Sequence, residues 1–98
     1  MVQEGQLLAV FNSAHRVMKA ESRLKTLGLP VLLIPAPRAL STDCGLALRF
    51  DASSRDPIME ALAREKLLPA FVCRCDAGGK YTTIWNEGDA LTPGGTPA

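Results

Sequence analysis

Leu7-Leu8-Ala9-Val10-Phe11-Asn12-Ser13 decides how this chain folds. Five consecutive apolar residues suit a buried strand, and Asn12 and Ser13 carry side chains that cap helix N-termini by accepting from free backbone amides. The stretch therefore reads as a strand feeding straight into a helix. From Ala14 to Leu27 the apolar positions Val17, Ala20, Leu24 and Leu27 recur at helical spacing, and Gly28 supplies the C-terminal stop.

The next elements follow the same logic. Val31 to Ile34 is predicted as a second strand, ended by Pro35 and Pro37, which lack backbone donors. Pro35 to Gly45 is a loop. Leu46, Leu48 and Phe50 alternate with Ala47 and Arg49, the period of a third strand with one face more buried than the other. Asp51 to Asp56 is rich in capping residues, Pro57 suits a first helical turn, and Ile58, Met59, Leu62, Ala63 and Leu67 form an apolar stripe ending before Pro69. Phe71 to Asp76 and Tyr81 to Trp85 are short strand-like runs around Gly78 and Gly79, a hairpin signal that would place Thr82 and Ile84 on the face of Cys73 and Cys75. The simplest assembly is an α+β, ferredoxin-like βαββαβ sandwich, two helices on one face of an antiparallel sheet, with room for an extra C-terminal hairpin strand. One domain over residues 5–85 and a flexible tail over 86–98 are expected.

Composition narrows the function. With 98 residues, 47% hydrophobic and 21% charged, the chain can build one core and no second one. Eleven Lys and Arg against ten Asp and Glu leave a net charge of +1, too little for a surface that tracks phosphates, so no nucleic acid partner is expected. The longest apolar runs are far shorter than the roughly 20 residues of a membrane span, and no leader pattern opens the chain. A cytoplasmic protein with no membrane partner is the expectation. Three cysteines, Cys44, Cys73 and Cys75, do not make a disulfide framework. Zinc would need all three together with His15, the one histidine, at spacings unlike known sites, so neither metal nor cofactor is expected.

Chemistry gathers at one sheet edge in this topology. A right-handed crossover makes the first two strands parallel, so the turn Asn12 to His15 and the loop Pro35 to Gly45 share an end. Cys44 sits at the close of that loop, where unpaired amides of the helix start favour an anionic sulfur. Arg38 and His15 add cationic or donor groups, and Ser13 lies in the same turn. Ser41 offers a hydroxyl to a sulfur anion, and Gly45 permits a backbone conformation closed to other residues and leaves space for an incoming group. Asp43, next to Cys44, opposes a thiolate where it points the same way.

The stretch Leu33-Ile34-Pro35-Ala36-Pro37-Arg38-Ala39-Leu40-Ser41-Thr42-Asp43-Cys44-Gly45-Leu46-Ala47-Leu48-Arg49-Phe50 resembles the signature of a small bacterial family described as selenium/sulfur carrier protein-like, with its Pro-x-Pro-Arg turn and Ser-x-x-Cys-Gly. Phe11-Asn12-Ser13, leading into a helix with Glu21 and Leu24-Lys25, is similar to that family's N-terminal half. The resemblance covers roughly residues 7 to 72. It implies a carrier that holds a persulfide or selenylsulfide on Cys44 between a donor such as a cysteine desulfurase and an acceptor protein. Such a carrier needs one accessible sulfur, anion-stabilising donors and a loop that enters a partner's active site, and no acid–base pair. A carrier or accessory protein is expected rather than a turnover enzyme.

Cys73 and Cys75, two apart on one strand, share a face and read as small apolar fillers; a disulfide between them would be strained. The rival class is a non-catalytic dimerising or small-ligand-binding domain in which Cys44 is incidental. Two helices cover one side of the sheet, so the apolar residues of Leu7 to Phe11 on the other side are expected to be covered by a second copy, a homodimer, or by the Tyr81 to Leu91 segment. An RNA-binding sheet lacks its stacking aromatics here.

Overall fold

The first strand, β1 (Leu7–Val10), lies at the centre of the sheet and is buried along its whole length. The computed structural model describes residues 2–40 and 44–87. After β1 come α1 (Ala14–Thr26), β2 (Leu32–Pro35), β3 (Leu46–Phe50), α2 (Arg55–Arg64), β4 (Phe71–Cys75) and β5 (Tyr81–Asn86). The result is a small α+β fold, a five-stranded antiparallel sheet in the order β2-β3-β1-β4-β5 with two helices. β5 extends the plain βαββαβ arrangement by one strand paired along β4. The expected tail lies outside the described residues from position 88 onward, and Asn86 belongs to β5.

Both helices pack on one sheet face. Leu7, Ala9, Leu48, Phe50 and Val72 from the strands, with Phe11 just past β1, meet Val17, Ala20 and Leu24 of α1 and Ile58, Ala61 and Leu62 of α2. Ser13 caps α1, its side chain accepting from the Arg16 amide at 3.2 Å. Gly28, at φ 77, closes the helix, with the Leu29 amide donating to the Leu24 carbonyl.

α2 stops at Arg64, short of the apolar stripe that suggested a helix running to Leu67. Lys66 takes φ 60 and turns the chain back, and the Leu67 amide donates to the Leu62 carbonyl at 2.8 Å. Leu67 is buried although it is not helical, because this type of helix end folds the residue after the turn onto the last helical apolar positions.

β2 runs through Pro35 instead of ending before it, a correction with a simple geometric cause. The Ala36 amide donates to the Gly45 carbonyl, which makes alternate residues of β2 the ones that bond β3. Pro35, opposite Leu46, falls on the outward phase of an edge strand, where no amide is needed.

The helix-free face is also closed within the chain. Leu8, Val10, Ile34, Ala47 and Cys73 are buried there, with Val2, Ala36, Leu40, Phe71 and Tyr81 packed around them. Leu8 and Cys73 are 0% exposed, so among the described residues the apolar strand positions that prompted the homodimer expectation are covered without a second copy. Among the described residues, no helix is long and apolar enough to cross a membrane.

The hairpin register differs from the sequence expectation. Cys75 faces Tyr81 and Cys73 faces Thr83, with a bulge beyond that shifts Ile84 and Trp85 to the helix side. Asp76 to Lys80 form a longer turn, closed by the Asp76 amide on the Lys80 carbonyl, with Gly78 at φ 82 and Gly79 at φ 77. Tyr81 and Thr83, rather than Thr82 and Ile84, therefore accompany the two cysteines.

Candidate functional site

Strand register fixes the position of Cys44. Val10 at the end of β1 faces Ala47 on one side and Phe71 on the other, and Ala47 also faces Ile34. The beginning of β3, the end of β2, the start of α1 and the entry to β4 thus share one end of the sheet. Cys44 precedes β3 there and packs against the helix-side core, on the same side as Leu46 and Leu48. It is half-buried, whereas Cys73 and Cys75 are buried.

The backbone turns tightly at Gly45, which has φ 72. A Cβ built at Gly45 would meet nothing within 4 Å, so the glycine serves the left-handed backbone, and open space lies beside it. This turn folds the next residue back onto the sulfur. The Leu46 amide donates to Cys44 Sγ at 3.4 Å, and Sγ donates to the Leu46 carbonyl at 3.2 Å.

The other residues singled out in the sequence distribute around this end in different ways. Ser13 is committed to capping α1, which leaves its hydroxyl oriented to the Arg16 amide. His15 is exposed in the first turn of α1. Arg38 is exposed in the turn Pro37 to Leu40, which the Leu40 amide closes on the Pro37 carbonyl at 3.0 Å. Ser41 and Asp43 lie outside the described residues. Sequence reasoning missed the Leu46 amide, because a backbone donor carries no signature in residue type; the adjacent Gly45 was the available signal.

Arg16 ties the start of α1 to the exit of α2. Its guanidinium donates to the carbonyls of Lys66 at 3.4 Å and Leu68 at 3.3 Å, in the turn that follows α2.

The other two thiols are built differently. Burial, and then the neighbouring Cys75, push the Cys73 thiol up to about 11, so it stays protonated at neutral pH. Burial and the same cysteines raise the Tyr81 phenol. Asp76, at the hairpin turn, is held below the usual carboxylate range by hydrogen bonds from Arg74 and Thr82. Among the described residues, no cluster of three or more His, Cys, Asp or Glu side chains could hold a metal ion. A shallow cleft of about 280 Å³, lined by residues including Gln6, Leu32, Arg49 and Asp51, lies at the opposite sheet end and does not include Cys44.

No curated protein and no solved structure matches the chain. A protein-family model does match residues 6–74, more than half of the sequence, and that span contains β1 through most of β4 together with Cys44 and Gly45. The chain belongs to the family described as "Putative Se/S carrier protein-like".

Proposed function

We propose that this protein carries a single sulfur or selenium atom on Cys44, as a persulfide or selenylsulfide, between a donor enzyme such as a cysteine desulfurase and an acceptor protein. The observation that carries the reading is the contrast among three thiols: Cys44 is the half-exposed one, with an amide donor at its sulfur, while Cys73 and Cys75 are buried. Family membership supports it at the level of selenium/sulfur carriage.

Transfer is redox-neutral. The Cys44 thiolate attacks the terminal sulfur of a donor persulfide, the new Cys44–sulfur bond forms as the donor's S–S bond breaks, and the donor thiolate leaves. Delivery repeats the step with the acceptor's thiolate as nucleophile. The Leu46 amide stays directed at the Cys44 sulfur, and Arg38, His15 and Ser41 are proposed to support the anionic cargo from the loop and helix start. Ser13 contributes by holding the helix start in place.

We read β1 through β4 with α1 and α2 as a ferredoxin-like unit to which β5 is added. In this arrangement the Cys44 end is set by the central strands, so a partner meets a rigid platform with a turn on top. The carrier needs no general base of its own, consistent with an accessory protein in the cytoplasm rather than a turnover enzyme.

The test is intact-mass analysis after incubation with a cysteine desulfurase and cysteine. One added sulfur on the wild type and none on Cys44→Ser supports the reading. Equal loading of the serine variant removes it and leaves the alternative, a binding domain with an incidental cysteine.

A further inference from the structure

Charges in this chain are not evenly distributed. Four described carboxylates are closed in ion pairs, Glu65 with Arg23, Glu21 with Lys25, Glu60 with Arg64 and Asp76 with Arg74. Among the described residues, Arg16, Lys19, Arg38, Arg55, Lys66 and Lys80 are in none of these pairs.

Arg16, Arg38 and Lys66 lie at the Cys44 end of the sheet and Lys19 midway along α1, whereas Arg55 at the start of α2 and Lys80 in the β4–β5 turn lie at the opposite end. Arg38 lies in the β2–β3 connection. Arg16 belongs to the first turns of α1, and Lys19 follows about one helical turn on. Lys66 is brought to the same end by the bond from the Arg16 guanidinium to its carbonyl, and its own side chain is exposed. Two described carboxylates lie at this end, Glu65, beside Lys66 and closed on Arg23, and Glu87, whose amide donates to the Ala70 carbonyl beside the start of β4. Outside these ion pairs, the described charges at this end are thus Glu87 against Arg16, Arg38 and Lys66. Glu4, Asp51 and Asp56 belong to the opposite end, where β1 begins and β3 finishes.

We propose that this end is a basic docking rim that recognises an acidic surface on a protein partner; the inference rests on the carrier reading and names the chemistry of that partner. The cations come from three separate segments surrounding the Cys44 turn, which matches an extended acidic surface rather than a small anion held in a pocket. The cleft lined by Gln6, Leu32, Arg49 and Asp51 lies at the other end. A nucleic acid is a poor match, because the chain's net charge is only +1 and the described aromatics at this end, Phe71 and Trp85, are partly buried against the two cores. Cationic residues around a reactive group raise the encounter rate with anionic partners and lose that effect as salt screens them.

The experiment uses three synthetic peptides of one length, each with a single cysteine activated as a pyridyl disulfide and flanked by Glu, Gln or Lys. Cys44 thiolate attacks the peptide sulfur, the Cys44–peptide disulfide forms as the bond to the pyridyl sulfur breaks, and thiopyridone is released and read by absorbance. Cys44→Ser gives the blank. At low salt the Glu peptide is expected to react about tenfold faster than the Lys peptide, with the ratio falling toward one as salt rises. The double variant Arg38→Glu/Lys66→Glu is expected to reverse the order, and Arg38→Gln/Lys66→Gln to level it if the reversed charges disturb folding.

Equal rates for the three peptides overturn the rim, whether or not Cys44 loads sulfur from a desulfurase. A Glu preference that the glutamine variant leaves unchanged also overturns it. A Glu preference in a protein that takes up no sulfur upholds the rim and counts against the carrier reading instead.

Discussion

The Leu46 amide and the Cys44 sulfur are 3.4 Å apart, held so by the left-handed backbone of Gly45 between them. A residue two positions along the chain thereby supplies a donor to the sulfur, and the Leu46 carbonyl accepts from the thiol at 3.2 Å. The same Leu46 starts β3 opposite Pro35, so the donor is anchored to the sheet.

Gly45→Ala tests that arrangement. No atom stands near the added methyl, so the cost is backbone strain alone, about 1–2 kcal/mol. Chemical denaturation should show this loss, and alkylation of Cys44 should change in rate. D-alanine at position 45, installed by chemical synthesis, prefers positive φ and should restore both; failure to do so would show that the turn is not the cause.

Cys44→Ser retains a donor and an acceptor for the two Leu46 groups. Its stability should therefore lie within about 1 kcal/mol of the wild type by urea denaturation, while sulfur loading is lost. A loss of several kcal/mol would identify Cys44 as a packing residue.

Lys66→Gly should stabilise the protein. Lys66 holds φ 60 at the end of α2, a conformation costly for a residue with a Cβ, and glycine there is expected to raise stability by about 0.5–1 kcal/mol in thermal or urea unfolding. Gly28→Ala, at φ 77 in the equivalent position after α1, should shift stability in the opposite direction by a similar amount.

Alkaline pH should expose the buried thiol. The folded Cys73 holds its proton up to about 11, against 9.0 for an unperturbed thiol, so the unfolded chain releases the proton first. Stability attached to this group is complete below pH 9 and falls as pH rises toward 11, by at most about 1.4 kcal/mol per pH unit. Comparing urea midpoints of the wild type and Cys73→Ala across that range isolates the effect; equal slopes would refute it. At neutral pH, iodoacetamide should modify Cys44 alone until denaturant is added.

Asp76 works in the acid range with the opposite sign. Arg74 and Thr82 hold its carboxyl low, so its contribution is present above the unfolded carboxylate range and is lost as pH falls through the folded value. Asp76→Asn should flatten the acid limb of the stability profile, measured by thermal unfolding.

Much of this fold was written locally. The apolar run Leu7 to Phe11, the cap at Ser13, the stop at Gly28 and the alternation from Leu46 to Phe50 reflect periodicity and capping within a few residues, and the sequence by itself placed strands and helices on them. It also placed Cys44 and Gly45 in the connection before β3, at the end where α1 begins. Tertiary structure decided what depends on pairing between distant segments: that Pro35 lies on the outward phase of β2, that Cys75 faces Tyr81, and that both sheet faces close within one chain. It also decided which donor meets the sulfur. Those outcomes turn on strand register and on backbone groups common to every residue, so nothing in residue identity announces them.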